Sequence, residues 1–68
     1  MINRLAFLFG EVQSGNNPVN WVRLNPQDAA TLGEDYVEGQ IWGAKVIEDP
    51  ALRPGSCQID KLGKRTLY

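Results

Sequence analysis

Histidine is missing from this chain, and cysteine occurs only once, at Cys57. One thiol excludes an intrachain disulfide. With no imidazole beside it, one thiol also falls short of the roughly four ligands of a structural zinc site. The same gap removes the usual base for a serine or cysteine nucleophile. Long apolar runs are absent too. The stretch from Leu5 to Phe9 is far shorter than the ~20 residues of a membrane-spanning helix. It is followed by Glu11 and Gln13 instead of a small-residue cleavage site, which argues against a secretory signal and for a cytoplasmic protein. No glycine-rich phosphate loop is spelled out, because Gly10, Gly15, Gly33 and Gly39 lie too far apart. Charge of one sign is also lacking. The net charge of −1 gives no footprint for nucleic acid.

What is present fits one small domain spanning residues 1–68. With 43% apolar residues the chain has the composition of a globular protein, not a disordered one. A chain this short buries only ~60% of its unfolded surface. With disulfide and metal set aside, a second copy or another protein is the remaining way to cover apolar surface.

Ile2, Leu5, Ala6, Phe9 and Val12 recur at helical spacing, so a helix is expected from Ile2 to Val12, with a strand through the short run Leu5 to Phe9 as the competing reading. Gly10 weakens it by up to about 1 kcal/mol. Ser14 to Pro18 is a cluster of turn formers that ends it. Phe7 falls off the stripe and either widens it or faces a partner. Val19 to Leu24 reads as a strand, with Val22 and Leu24 on one face and Val19, Trp21 and Arg23 on the other. Asn25-Pro26 then opens a helix, with Asn25 as cap, Pro26 at the first position and Asp28 in the first turn. That helix runs through Ala29, Ala30 and Leu32 and stops at Gly33. Glu34 to Gly39 is an acidic connection, and Gln40 to Ile47 is the next strand. Trp42, Ala44 and Val46 are expected on one face, and Ile41, Gly43, Lys45 and Ile47 on the other. Lys45 on an otherwise apolar face suggests a strand end or edge.

The most specific punctuation lies between Lys45 and Asp60. A strand ends at Asp49-Pro50, Pro54-Gly55 suits a type II turn, and a second strand starts at Ser56. Lys61-Leu62-Gly63-Lys64 is a hairpin turn, from which Arg65 to Tyr68 pairs back. The fold class is therefore α+β, a single small domain in the order helix, strand, helix, strand, strand and a short last strand. An antiparallel hairpin closes the C-terminal end, and the helices lie on one face. Glu34-Asp35 and Glu48-Asp49 are neighbours in turns, unsuited to paired-carboxylate chemistry. The chain is read as a non-enzyme without catalytic residues, cofactor, metal or small-molecule substrate. Phe7, Trp21 and Trp42 are its candidate partner surface.

Val22-Arg23-Leu24-Asn25-Pro26-Gln27-Asp28-Ala29-Ala30-Thr31-Leu32 and Val46-Ile47-Glu48-Asp49-Pro50-Ala51-Leu52-Arg53-Pro54-Gly55-Ser56-Cys57-Gln58-Ile59 together carry a resemblance. They resemble the C-terminal domain of the FliH/YscL family, the stators of flagellar and injectisome type III secretion ATPases, distantly similar to the E subunit of V-type ATPases. The resemblance implies a strand leading into an Asn-Pro helix start, and a later strand ending in Asp-Pro. It also implies a bacterial, cytoplasmic component of a protein-transport machine that binds or regulates the export ATPase and does not hydrolyse ATP. A homodimer is implied as well. Members carry a charged N-terminal region and a coiled-coil stalk before this domain, so the chain reads as a truncated copy. The alternative is a small β-rich nucleic-acid module using Trp21, Trp42 and the basic tail, or a stand-alone phage-type domain.

Overall fold

A computed structural model describes residues 1–10 and 18–68. Helix α1 (Ile2–Phe9) turns Leu5 and Phe9 inward. Gly10, at φ +81°, ends it, so the glycine expected only to weaken the helix terminates it. Val12 and the Ser14–Asn17 turn formers lie outside the described residues.

Strand β1 (Val19–Leu24) leads directly into α2 (Pro26–Ala29). The Asn25 side chain accepts the Gln27 backbone N–H at 2.7 Å, and Pro26 sits where no donor is needed. The α-helix is shorter than expected. A turn carries the chain on to Leu32, and a 3₁₀ turn follows at Gly33–Asp35. The acidic connection then forms a strand of its own, β2 (Tyr36–Val37).

The expected strand from Gln40 to Ile47 is in fact two strands. β3 (Gln40–Ile41) and β4 (Ala44–Glu48) pair antiparallel around Trp42-Gly43, with Ile41 opposite Ala44. Both turn residues have positive φ, 50° and 85°, as a type I′ hairpin requires. Because the chain reverses here, Ile41 shares the core face with Ala44 and is fully buried, where an uninterrupted strand would put the two on opposite faces. β5 (Cys57–Lys61) and β6 (Lys64–Leu67) pair around Leu62-Gly63 as expected.

The strands form one sheet in the order β2-β3-β4-β1-β5-β6. β1 pairs parallel with β4 and antiparallel with β5, so the sheet is mixed and not a simple meander. An irregularity between Val19 and Trp21 breaks the alternation of β1. Val19 is therefore buried with Val22 and Leu24 and does not share the face of Trp21 and Arg23. Leu5 and Phe9 of α1, Ala29 of α2 and Leu32 join the inward residues of β1, β3, β4 and β5 in one cluster. Both helices thus cover the same face of the sheet. The architecture is the expected small α+β domain. No helix among the described residues is long and apolar enough to cross a membrane.

Candidate functional site

The helix-covered face is closed chemically as well as sterically. Asn25 donates from its amide nitrogen to the Leu52 carbonyl at 2.8 Å, and Asp28 accepts the Gly55 backbone N–H at 2.7 Å. Arg4 of α1 donates to the Gly55 carbonyl, and the Asp49 N–H bonds to the Leu24 carbonyl at 2.8 Å. The Asp49–Ser56 loop is thereby clasped to the start of α2. Within the loop, Asp49 caps the turn at Ala51, and Ser56 closes back on Arg53 across Pro54-Gly55. Asp28 therefore does more than favour the helix dipole, since its carboxylate fixes the loop that leads into β5.

Cys57 lies fully buried beneath that clasp. Burial pushes its thiol above its ordinary value, with nearby Arg4 opposing the shift and Asp28 adding to it. A buried, protonated thiol is a small hydrophobe and not a nucleophile. On the far side of α2, Tyr36 donates its hydroxyl to Glu48 Oε2 at 2.7 Å. That bond, followed by burial and the carboxylate's charge, raises the tyrosine's pKa. Glu48 is engaged with Tyr36 and Asp49 with Arg23, so the two acids do not act as a pair. Among the described residues no three histidine, cysteine, aspartate or glutamate side chains group to hold a metal.

Among the described residues no helix lies on the opposite face of the sheet. Side chains alternate along strands, so the inward positions fix the outward ones. Val22, Leu24, Ala44, Val46, Cys57 and Ile59 are buried in the core, which leaves Trp21, Arg23, Lys45, Ile47, Gln58 and Asp60 on the open face. One row across it runs Lys45, Trp21, Asp60, Arg65, and the next runs Ile47, Arg23, Gln58, Leu67. The guanidinium carbons of Arg23 and Arg65 lie 5.6 and 5.8 Å from the Trp21 ring centroid. Arg23 also donates to Gln58 Oε1 at 2.7 Å and pairs with Asp49 at 3.4 Å. Lys45 is exposed because this face is open. Its strand is an interior one, not an edge.

The three aromatic residues proposed from the sequence do not form one surface. Phe7 is 84% exposed on α1. Trp42, on the helix-bearing side, packs edge-on against Phe9 with ring centroids 5.3 Å apart. Trp21 stands alone on the open face. Lys45 and Asp60 meet it only through cross-strand register, as does Arg65 of the basic tail that the nucleic-acid alternative sets beside Trp21. A search of family models, curated proteins and solved structures found no match to this chain.

Proposed function

We propose that the chain is a non-enzymatic component of a type III secretion or flagellar export ATPase complex, binding or restraining the ATPase by protein contact. One observation supports this reading. The two sequence stretches that resemble the FliH/YscL stator family are physically one unit. Asn25 and Asp28 in the first hold Leu52 and Gly55 in the second, and their strands pair in parallel. Residues that look like scattered turn signals thus act together as a single structural signature. A sheet face that no helix covers among the described residues also supports a protein that works by contact with a partner.

Co-purification of the full chain with an export ATPase, beside a full-length stator as positive control, tests the proposal. The chain is expected to be retained with the ATPase. Retention of the control without the chain overturns the reading.

A second reading, a single-strand nucleic-acid module, draws on Trp21 with Lys45 and Arg65 beside it. Trp42, its second aromatic, lies on the other side of the sheet, and the net charge is −1. A salt-dependent mobility shift with an oligothymidine would favour it.

A further inference from the structure

We infer that the open face of the sheet is a docking surface for an acidic, partly apolar protein segment. This deepens the partner-binding reading above by naming the surface and the chemistry of what it takes.

Charge is the first argument. On a chain of net charge −1, the open face gathers Lys45, Arg23 and Arg65 around one indole. The acids Glu34, Asp35 and Glu38 sit beyond α2, around β2 at the far end of the sheet. Of the open-face carboxylates, Asp60 is only 8% exposed, and nearby Asp49 cancels against Arg23, which leaves Lys45 and Arg65 as the exposed cations. The accessible charge of the face is therefore positive, and it complements carboxylates.

Unmet hydrogen bonding is the second. Arg23 Nε and Asp60 Oδ1 are both buried, and neither has a hydrogen-bond partner. They belong to adjacent rows beside Trp21. Buried polar groups are rarely left alone, because an unmade bond costs on the order of 1–3 kcal/mol. One is a donor and the other an acceptor. Both atoms are enclosed by the protein, so a polypeptide backbone, which offers a C=O and an N–H, meets them only where the Arg23 and Asp60 side chains turn outward as it docks.

The third argument is the apolar rim. Ile47 is half-buried and Leu67 is 65% exposed in the row beside Arg23. These are anchors for aliphatic side chains. Two guanidiniums already lie over Trp21, so the indole is engaged and not a vacant platform for a base.

The test uses the full isotopically labelled chain with three probes: an alternating Glu/Leu peptide, an oligothymidine, and a purified export ATPase. The Glu/Leu peptide is expected to shift the amides of Trp21, Lys45 and Arg65 and the indole N–H of Trp21. Lys45→Glu combined with Arg65→Glu should weaken it at least about tenfold, and Phe7→Ser, on the helix side, should leave it unchanged. Retained affinity in the double variant overturns the inference. So do shifts confined to the groove lined by Ile59, Leu62, Lys64 and Tyr68. Tighter binding of oligothymidine than of the peptide reassigns the face to nucleic acid. Concentration-dependent shifts of the open face together with Glu34–Glu38, without added probe, reassign it to a second copy. The ATPase arm separates the two proposals. Peptide binding without ATPase binding removes the secretion reading and leaves the docking surface. ATPase binding that survives the double variant, with no peptide binding to the parent chain, removes the docking surface and leaves the secretion reading.

Discussion

The two tryptophans sit on opposite faces of one sheet and have opposite fates. Trp42 enters the helix side through a hairpin turn and packs against Phe9, at the margin of a core that takes residues from six elements. Trp21 lies near the middle of the sheet, where burial would be easiest, yet no helix or strand among the described residues covers its face. Both rings are half-buried, so the difference lies in what each one touches: Trp42 meets the core through Phe9, and Trp21 meets the guanidiniums of Arg23 and Arg65. Stability is therefore expected to reside almost entirely on the Phe9–Trp42 side, and partner recognition on the Trp21 side.

The strongest way to break this comparison is to set Phe9→Ala beside Lys45→Ala. Phe9 is 1% exposed, and truncating a buried phenylalanine costs about 3–5 kcal/mol. That is comparable to the whole stability expected of so small a domain. Urea unfolding should show Phe9→Ala largely unfolded, and Lys45→Ala within about 0.5 kcal/mol of the parent. Comparable losses at the two sites would end the distinction. Asp28→Ala comes next. It leaves the Gly55 N–H without its acceptor and should cost about 1–2 kcal/mol. Faster reaction of Cys57 with a thiol reagent should accompany it, as the clasp loosens above the buried sulfur. Gly43→Ala is smaller, about 1 kcal/mol. A side chain at φ +85° is strained even though open space surrounds the position.

The effect of pH is smallest near neutrality and grows in alkali. Cys57 and Tyr36 both have pKa values raised by folding, from ordinary values of 9.0 and 10.0. The folded state holds their protons more tightly than the unfolded state does. Their contribution is thus fully present below those ordinary values and is lost as pH rises through the raised ones. Stability followed from pH 7 to 11 should fall in the alkaline range. Cys57→Ala should remove the first part of the slope, and Tyr36→Phe the later part. An unchanged slope in both variants would show that neither group is responsible.

Local signals in the sequence were readable and non-local ones were not. Asn25-Pro26, Pro54-Gly55 and Leu62-Gly63 each carry their geometry within a few residues, and all three form as expected. Trp42-Gly43 was hidden because an aromatic residue continues an apolar alternation, and nothing local marks it as a residue with positive φ. Glu38-Gly39 was hidden inside an acidic run. The parallel pairing of β1 with β4 and the irregularity after Val19 arise only between distant strands. The same holds for the open face. Trp21 could be seen as a candidate, but Lys45, Asp60 and Arg65 join it only once the register is set.

The position of β1 in the sheet has a kinetic consequence. The β2–β3, β3–β4 and β5–β6 pairs close across two residues each and can form quickly and alone. β1 cannot, because its neighbours start at Ala44 and Cys57, and a long connection must close before each of its pairings is rewarded. The central strand is the first to be synthesised and the last to be satisfied. A nascent chain halted before Cys57 presents Val22 and Leu24 with one ladder edge unpaired, and so depends on rapid completion or on a chaperone to avoid aggregation.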